Sequence, residues 1–181
     1  MQTRLATTVL ALVALLLAAA TASSASPAPT PGAVYRTLAN PATWRAPPRP
    51  YHYVSVGTFG RLTRFGVGTA LVEYAHSGAN THAPTERSAV VVEVIESPRR
   101  AQSWLTSIKA KNGATAIPST PVYRWVTAVT GGYEPNMAMR VGFVVVIATG
   151  EKTRQRPPRA AWKLVRTLLA FATARSRAAQ R

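Results

Sequence analysis

The chain contains no cysteine and no aspartate. Without a thiol there is no disulfide, no thiolate-held metal and no cysteine nucleophile. Without aspartate, an aspartyl dyad, a Ser-His-Asp triad and a kinase-type Asp–Mg²⁺ site are excluded. Acids are scarce altogether: the 6 carboxylate side chains are Glu73, Glu86, Glu93, Glu96, Glu134 and Glu151. Against them stand 22 Lys and Arg, so the 181-residue chain carries a formal charge of +16. Lysine is rare among these cations, being confined to Lys109, Lys111, Lys152 and Lys163. GC-rich codon usage produces such an arginine bias, but it does not explain the shortage of acids. Phosphate-cradling loops are missing too. Gly57, Gly60, Gly66 and Gly68 fall in strand or turn patterns with no helix following, so there is no dinucleotide fingerprint. No G-x-S-x-G elbow surrounds Ser55, Ser77, Ser88, Ser97, Ser103 or Ser107.

What is present describes a folded domain. Hydrophobic residues make up 47% and charged residues 15%, enough apolar mass to bury a core. The first 22 residues have the layout of a secretory signal peptide. Arg4 supplies a positive start, Leu5 to Ala20 is uncharged and apolar, and Ala20-Thr21-Ala22 fits a small-residue cleavage site. The chain is therefore expected to be secreted or otherwise extracytoplasmic, with no transmembrane segment after signal cleavage. An uncleaved N-terminal membrane anchor is the alternative. Residues 23–50 are Pro-rich and are expected to form an extended linker. Residues 51–174 are expected to be one α+β domain, and 175–181 a basic C-terminal tail.

Periodicity gives the elements. Tyr51–Phe59 alternates as a strand, and Arg64–Ala75 reads as a second strand joined to it by a short hairpin. His76–Arg87 is a polar loop, and Ser88–Glu96 is a β-branched strand. A helix then starts with Ser97 as N-cap and Pro98 in first position, and leaves at Asn112-Gly113. Val122–Thr130 reads as a strand, Gly131–Asn136 as a turn and Met137–Ala148 as one long strand. Arg159–Ala174 is a helix with Trp162, Val165, Leu168, Leu169 and Ala172 on one face. The expected architecture is an antiparallel β-sheet of about five strands with two helices packed on one face. The pattern also suggests a duplicated ββα unit, because VVVEVI leads to Pro98 and Trp104 as VVVIA leads to Pro158 and Trp162.

Two groups of residues carry candidate chemistry. From Lys152 onward no acid occurs, and Arg154, Arg156, Arg159, Lys163 and Arg166 are expected to form an outward basic stripe together with Thr173. Such a stripe suits anion binding: an anionic polymer, lipid headgroups or an acidic protein. Sequence-specific nucleic-acid binding is not supported, since no RRM, KH or helix-turn-helix signature occurs. The second group is Glu73, His76, His82 and Glu86, the one His/Glu cluster, which would suit a metal. Its spacing matches no known motif, and strand parity sends Glu73 and His76 to opposite faces. A paired-carboxylate site could draw on Glu73, Glu93, Glu96 or Glu134, though Glu96 is accounted for by the helix N-terminus beside it.

The expected function is thus an exported, non-enzymatic binding domain without cofactors. Its basic face would contact an anionic surface or partner. The alternatives are an extracytoplasmic metal-dependent hydrolase built on the His76/His82 loop and a structural subunit of an envelope or extracellular assembly.

Overall fold

The computed structural model describes residues 27–76 and 87–181. Within them the order is α1 (Pro31–Ala39), a 3₁₀ turn (Pro41–Thr43), β1 (Tyr51–Phe59), β2 (Gly66–His76), β3 (Arg87–Ile95) and α2 (Pro98–Asn112). The second half continues with β4 (Thr115–Ala116), β5 (Tyr123–Val129), β6 (Gly132–Val141), β7 (Val144–Thr149) and α3 (Arg159–Ala178). The described residues are α+β: one 7-stranded sheet in the order β1-β2-β3-β7-β6-β5-β4, antiparallel at every pairing, with three helices among them.

Strand count exceeds the expected five for a local reason. The apolar run 137–148 is two strands, not one. Gly142 adopts φ +56, a left-handed conformation that lets the chain reverse between Val141 and Val144. The preceding turn is correspondingly tighter than expected: Gly131, at φ +77, closes it, and β6 begins at Gly132. β4 adds two residues that pair with Tyr123 and Arg124.

The segment expected as a linker contains a helix. Thr30 caps α1 by accepting a hydrogen bond from the Ala33 amide at 3.3 Å, and Pro31 takes the first helical position. This is the same start signal as Ser97-Pro98 at α2. α1 packs on the sheet: Val34, Leu38 and Trp44 are wholly buried in its core. The Trp44 indole N–H donates to the Leu38 carbonyl at 2.7 Å, which fixes the chain's return after the helix. An edge-to-face aromatic cluster joins Trp44 to Phe171 of α3, Phe171 to Tyr74, and Tyr74 to Tyr51 and Tyr53. The C-terminal helix also runs past residue 174, to Ala178, with Ser176 buried.

The helices do not share one face of the sheet. Val144, Val146 and Ala148 of β7 pack with α1 and with Val165, Leu168, Leu169 and Ala172 of α3. Val145, one residue out of phase, packs with Ala101, Leu105 and Ile108 of α2. Successive strand side chains point to opposite faces, so α2 covers the face opposite α1 and α3. That is why the start of β7 is a continuous apolar run: Val144, Val145 and Val146 are all buried.

The duplication also fails on this point. The two halves are β1-β2-β3-α2 and β5-β6-β7-α3, and they meet where β3 pairs antiparallel with β7. A two-fold axis relating them would stand normal to the sheet and would leave both helices on one face. α2 and α3 lie on opposite faces. Among the described residues no helix is long and apolar enough to cross a membrane.

Candidate anion-binding groove

The basic residues of the C-terminal half gather around one tryptophan. α3 buries Val165, Leu168, Leu169 and Ala172, and at helical spacing this leaves Arg159, Lys163 and Arg166 exposed. Trp162, on the boundary between the two sides, is half-buried. Arg124 comes from β5. Its strand neighbour Trp125 is buried on the α2 face, so alternation turns Arg124 toward α3. The Arg124 guanidinium carbon lies 5.6 Å from the Trp162 ring centroid, a cation–π arrangement.

Two adjoining hollows share these two residues. One, of about 550 Å³, runs along β5 and includes Tyr133, Val126, Arg156 and Pro157. The other, of about 600 Å³, is lined by Arg124, Trp162, Arg159, Lys163 and Arg166. Among the described residues no carboxylate lines either hollow. Among the described residues β4 covers β5 only at Tyr123 and Arg124, and the rest of β5 is a sheet edge bordering the groove.

The connector before α3 is held in place. Tyr133 and Thr153 exchange backbone hydrogen bonds of 2.8 and 2.9 Å, and the Thr153 hydroxyl donates to the Gln155 carbonyl at 2.7 Å. This places Arg156 at the groove. Arg154 is exposed but lines neither hollow. So the structure brings together Arg156, Arg159, Lys163 and Arg166, leaves Arg154 apart, and adds Arg124 and Trp162. Thr173, expected on the outer stripe, is instead buried and donates to the Met139 sulfur at 3.3 Å.

The other candidate residues are engaged elsewhere. Glu73 accepts from the Ser55 hydroxyl at 2.6 Å and from Arg87 at 3.0 Å on one face of the sheet. His76 stands on the other face, edge-on to the Tyr51 ring. His82 and Glu86 lie outside the described residues, and among those described no group of three potential ligands could hold a metal ion. Glu93 is buried, and its Oε1 accepts from the amides of Leu62 and Thr63 at 3.1 and 3.0 Å. Burial raises its pKa above the usual carboxylate range, and the two amides and the Trp104 indole pull the other way. Glu93 and Glu73 sit four residues apart along the β2–β3 ladder, about 13 Å at the backbone. That separation and the partners of each carboxylate give no paired acid and base. Glu96 is paired with Arg100.

The Tyr51 hydroxyl is pushed up to about 12 by burial, with a hydrogen bond to Ser88 opposing and the Glu151 charge adding to the rise. At neutral pH it is therefore a neutral phenol within the core. No family model, curated protein or solved structure matches the chain.

Proposed function

We propose that this chain is a non-enzymatic binding domain that works outside the cytoplasm and holds an anionic ligand in the groove between α3 and β5. One observation carries the reading. Arg124, Arg156, Arg159, Lys163 and Arg166 converge on a half-buried tryptophan, and no carboxylate of the described residues lines the hollows they form. Convergent cations on a concave wall raise the local concentration of polyanions, and their effect weakens with salt. Trp162 offers a flat apolar surface for a ring carried by that ligand. The open edge of β5 beside it offers unpaired backbone groups to an extended polymer. An anionic polymer or an acidic segment of a partner protein has these properties.

A polyanion column separates a groove from general basicity. The triple variant Arg124→Gln/Lys163→Gln/Arg166→Gln should elute from a heparin resin at clearly lower salt than the unmodified chain. Arg36→Gln/Arg45→Gln/Arg177→Gln removes the same charge from exposed positions away from the groove and should elute close to it. Equal shifts from both triples would mean that only net charge is sensed, and the groove reading would fail.

A further inference from the structure

Large apolar side chains are exposed at three places among the described residues: Phe59 (53%), Leu62 (50%) and Val126 (39%). Val126 borders the groove. The other two lie within four residues of each other, at the tip joining β1 to β2. Arg61 and Arg64 are exposed in the same tip, and Arg99 and Arg100 are exposed on the first turn of α2. α2 is tied to the tip at its start. The Glu96 amide donates to the Phe65 carbonyl at 3.0 Å, and the guanidinium carbons of Arg64 and Arg100 stand 4.6 and 4.1 Å from the Phe65 ring centroid. Among the described residues the exposed carboxylate here, Glu96, is paired with Arg100, which leaves Arg61, Arg64 and Arg99 in excess.

The tip is held in shape from below. The buried Glu93 carboxylate takes both the Leu62 and the Thr63 amides, and the Gly66 amide closes a turn onto the Thr63 carbonyl at 2.9 Å. Gly66 has no room for a side chain: a Cβ there would stand 2.6 Å from Glu93 Oε1. Both backbone donors of the residues at the apex are thus turned inward, and the Leu62 side chain is left in water. Two exposed apolar side chains on a fixed tip, ringed by arginines, match the boundary of a bilayer, where acyl chains lie just below charged headgroups.

We propose that the β1–β2 tip docks on an anionic lipid surface, with Phe59 and Leu62 entering the acyl boundary and Arg61, Arg64 and Arg99 meeting headgroup phosphates. The tip and the groove are at opposite edges of the sheet, so the proposal stands apart from the polymer-binding reading. Each basic residue near an anionic leaflet strengthens binding roughly fivefold, so loss of Arg61 and Arg64 together should weaken it about 25-fold.

The absence of cysteine makes the test direct, because one introduced thiol is the sole labelling site. Leu62→Cys in the full chain, carrying an NBD fluorophore, is mixed with vesicles of phosphatidylglycerol and phosphatidylcholine, and separately with phosphatidylcholine alone. Thr106→Cys, on the exposed side of α2, serves as the control position. The label at 62 should brighten and shift to the blue on the anionic vesicles. It should do so much less on the zwitterionic ones, and the label at 106 should not respond. Adding Arg61→Gln and Arg64→Gln should move the midpoint to about 25-fold more lipid. An unchanged label at 62, an equal response at 106, or a midpoint indifferent to the two arginines would overturn the proposal.

Discussion

Leu38→Ala tests whether the segment before Tyr51 belongs to the core. Leu38 is wholly buried and packs with Val34, Trp44 and the β-branched face of the sheet. A buried Leu→Ala change costs about 2–5 kcal/mol, the larger values where the surroundings cannot collapse into the space. Here the cavity would lie under a helix whose return is pinned by the Trp44–Leu38 hydrogen bond. Its walls therefore have little freedom to close, and about 3 kcal/mol is the expected loss. For a domain of this size each kcal/mol lowers Tm by about 3 °C, so the shift should be about 10 °C. Urea unfolding should give the same free energy with an unchanged m-value, because the native compactness is retained. Arg36→Ala, on the exposed side of the same helix, should stay within about 0.5 kcal/mol. A Leu38→Ala shift as small as that of Arg36→Ala would refute the packing of α1 and return residues 31–44 to the status of a tether.

Other expectations concern single groups. The raised pKa of Glu93 means that the folded protein keeps this proton to higher pH than the unfolded chain does. The stability that accompanies that proton is complete below the unfolded value of about 4.3. It is lost as pH rises through the folded value. Glu93→Gln, which can still accept from both amides, should therefore gain on the unmodified chain as pH is raised through this window; parallel urea midpoints for the two across that range would count against it. Gly142→Ala should destabilise by about 1–2 kcal/mol, from its left-handed φ and a collision with the Gln180 side chain, as read by urea unfolding. Ser97→Ala should cost about 1 kcal/mol through loss of the bond to the Arg100 amide, while Ser97→Gly should cost only a few tenths. Trp162→Ala should weaken polyanion retention without lowering Tm by more than a few degrees, since its ring is half-exposed; unaltered retention would remove the aromatic wall from the binding account.

How much of this was legible beforehand depended on what kind of signal each element carries. β1 and α2 were readable at nearly residue precision, because alternation and an N-cap, Pro and Gly frame them. The β6–β7 hairpin was not. Its strands are buried on both sides, and an apolar run with no polar alternation gives no sign of where it folds back except Gly142. α1 was hidden by composition: prolines suggest an extended chain, while Thr30-Pro31 is a helix start by its geometry. Cover on opposite faces was implicit in β7, since three consecutive buried valines need neighbours above and below. The groove was legible by half. Helical spacing exposes Arg159, Lys163 and Arg166, but nothing local brings Arg124 from a strand more than thirty residues away. Arg154 looked equivalent to Arg156 in the sequence, and the pinning of Thr153 to Tyr133 separates them.

The seam between β3 and β7 has a consequence for how the chain reaches this shape. Each flanking meander is built from neighbours in sequence, so its pairings close short loops. The seam joins strands that end at Ile95 and begin at Val144. Joining them means closing a far longer loop, and the entropy of that closure is spent before the contacts repay it. α3 bridges the join, packing on β6 and β7 from one half and on β3 from the other. Assembly should therefore be slow at this one step, with two half-sheets each offering an unpaired inner edge until it is complete. For a chain proposed to work outside the cytoplasm, those two edges mark the interval in which it is most open to pairing with a second copy of itself.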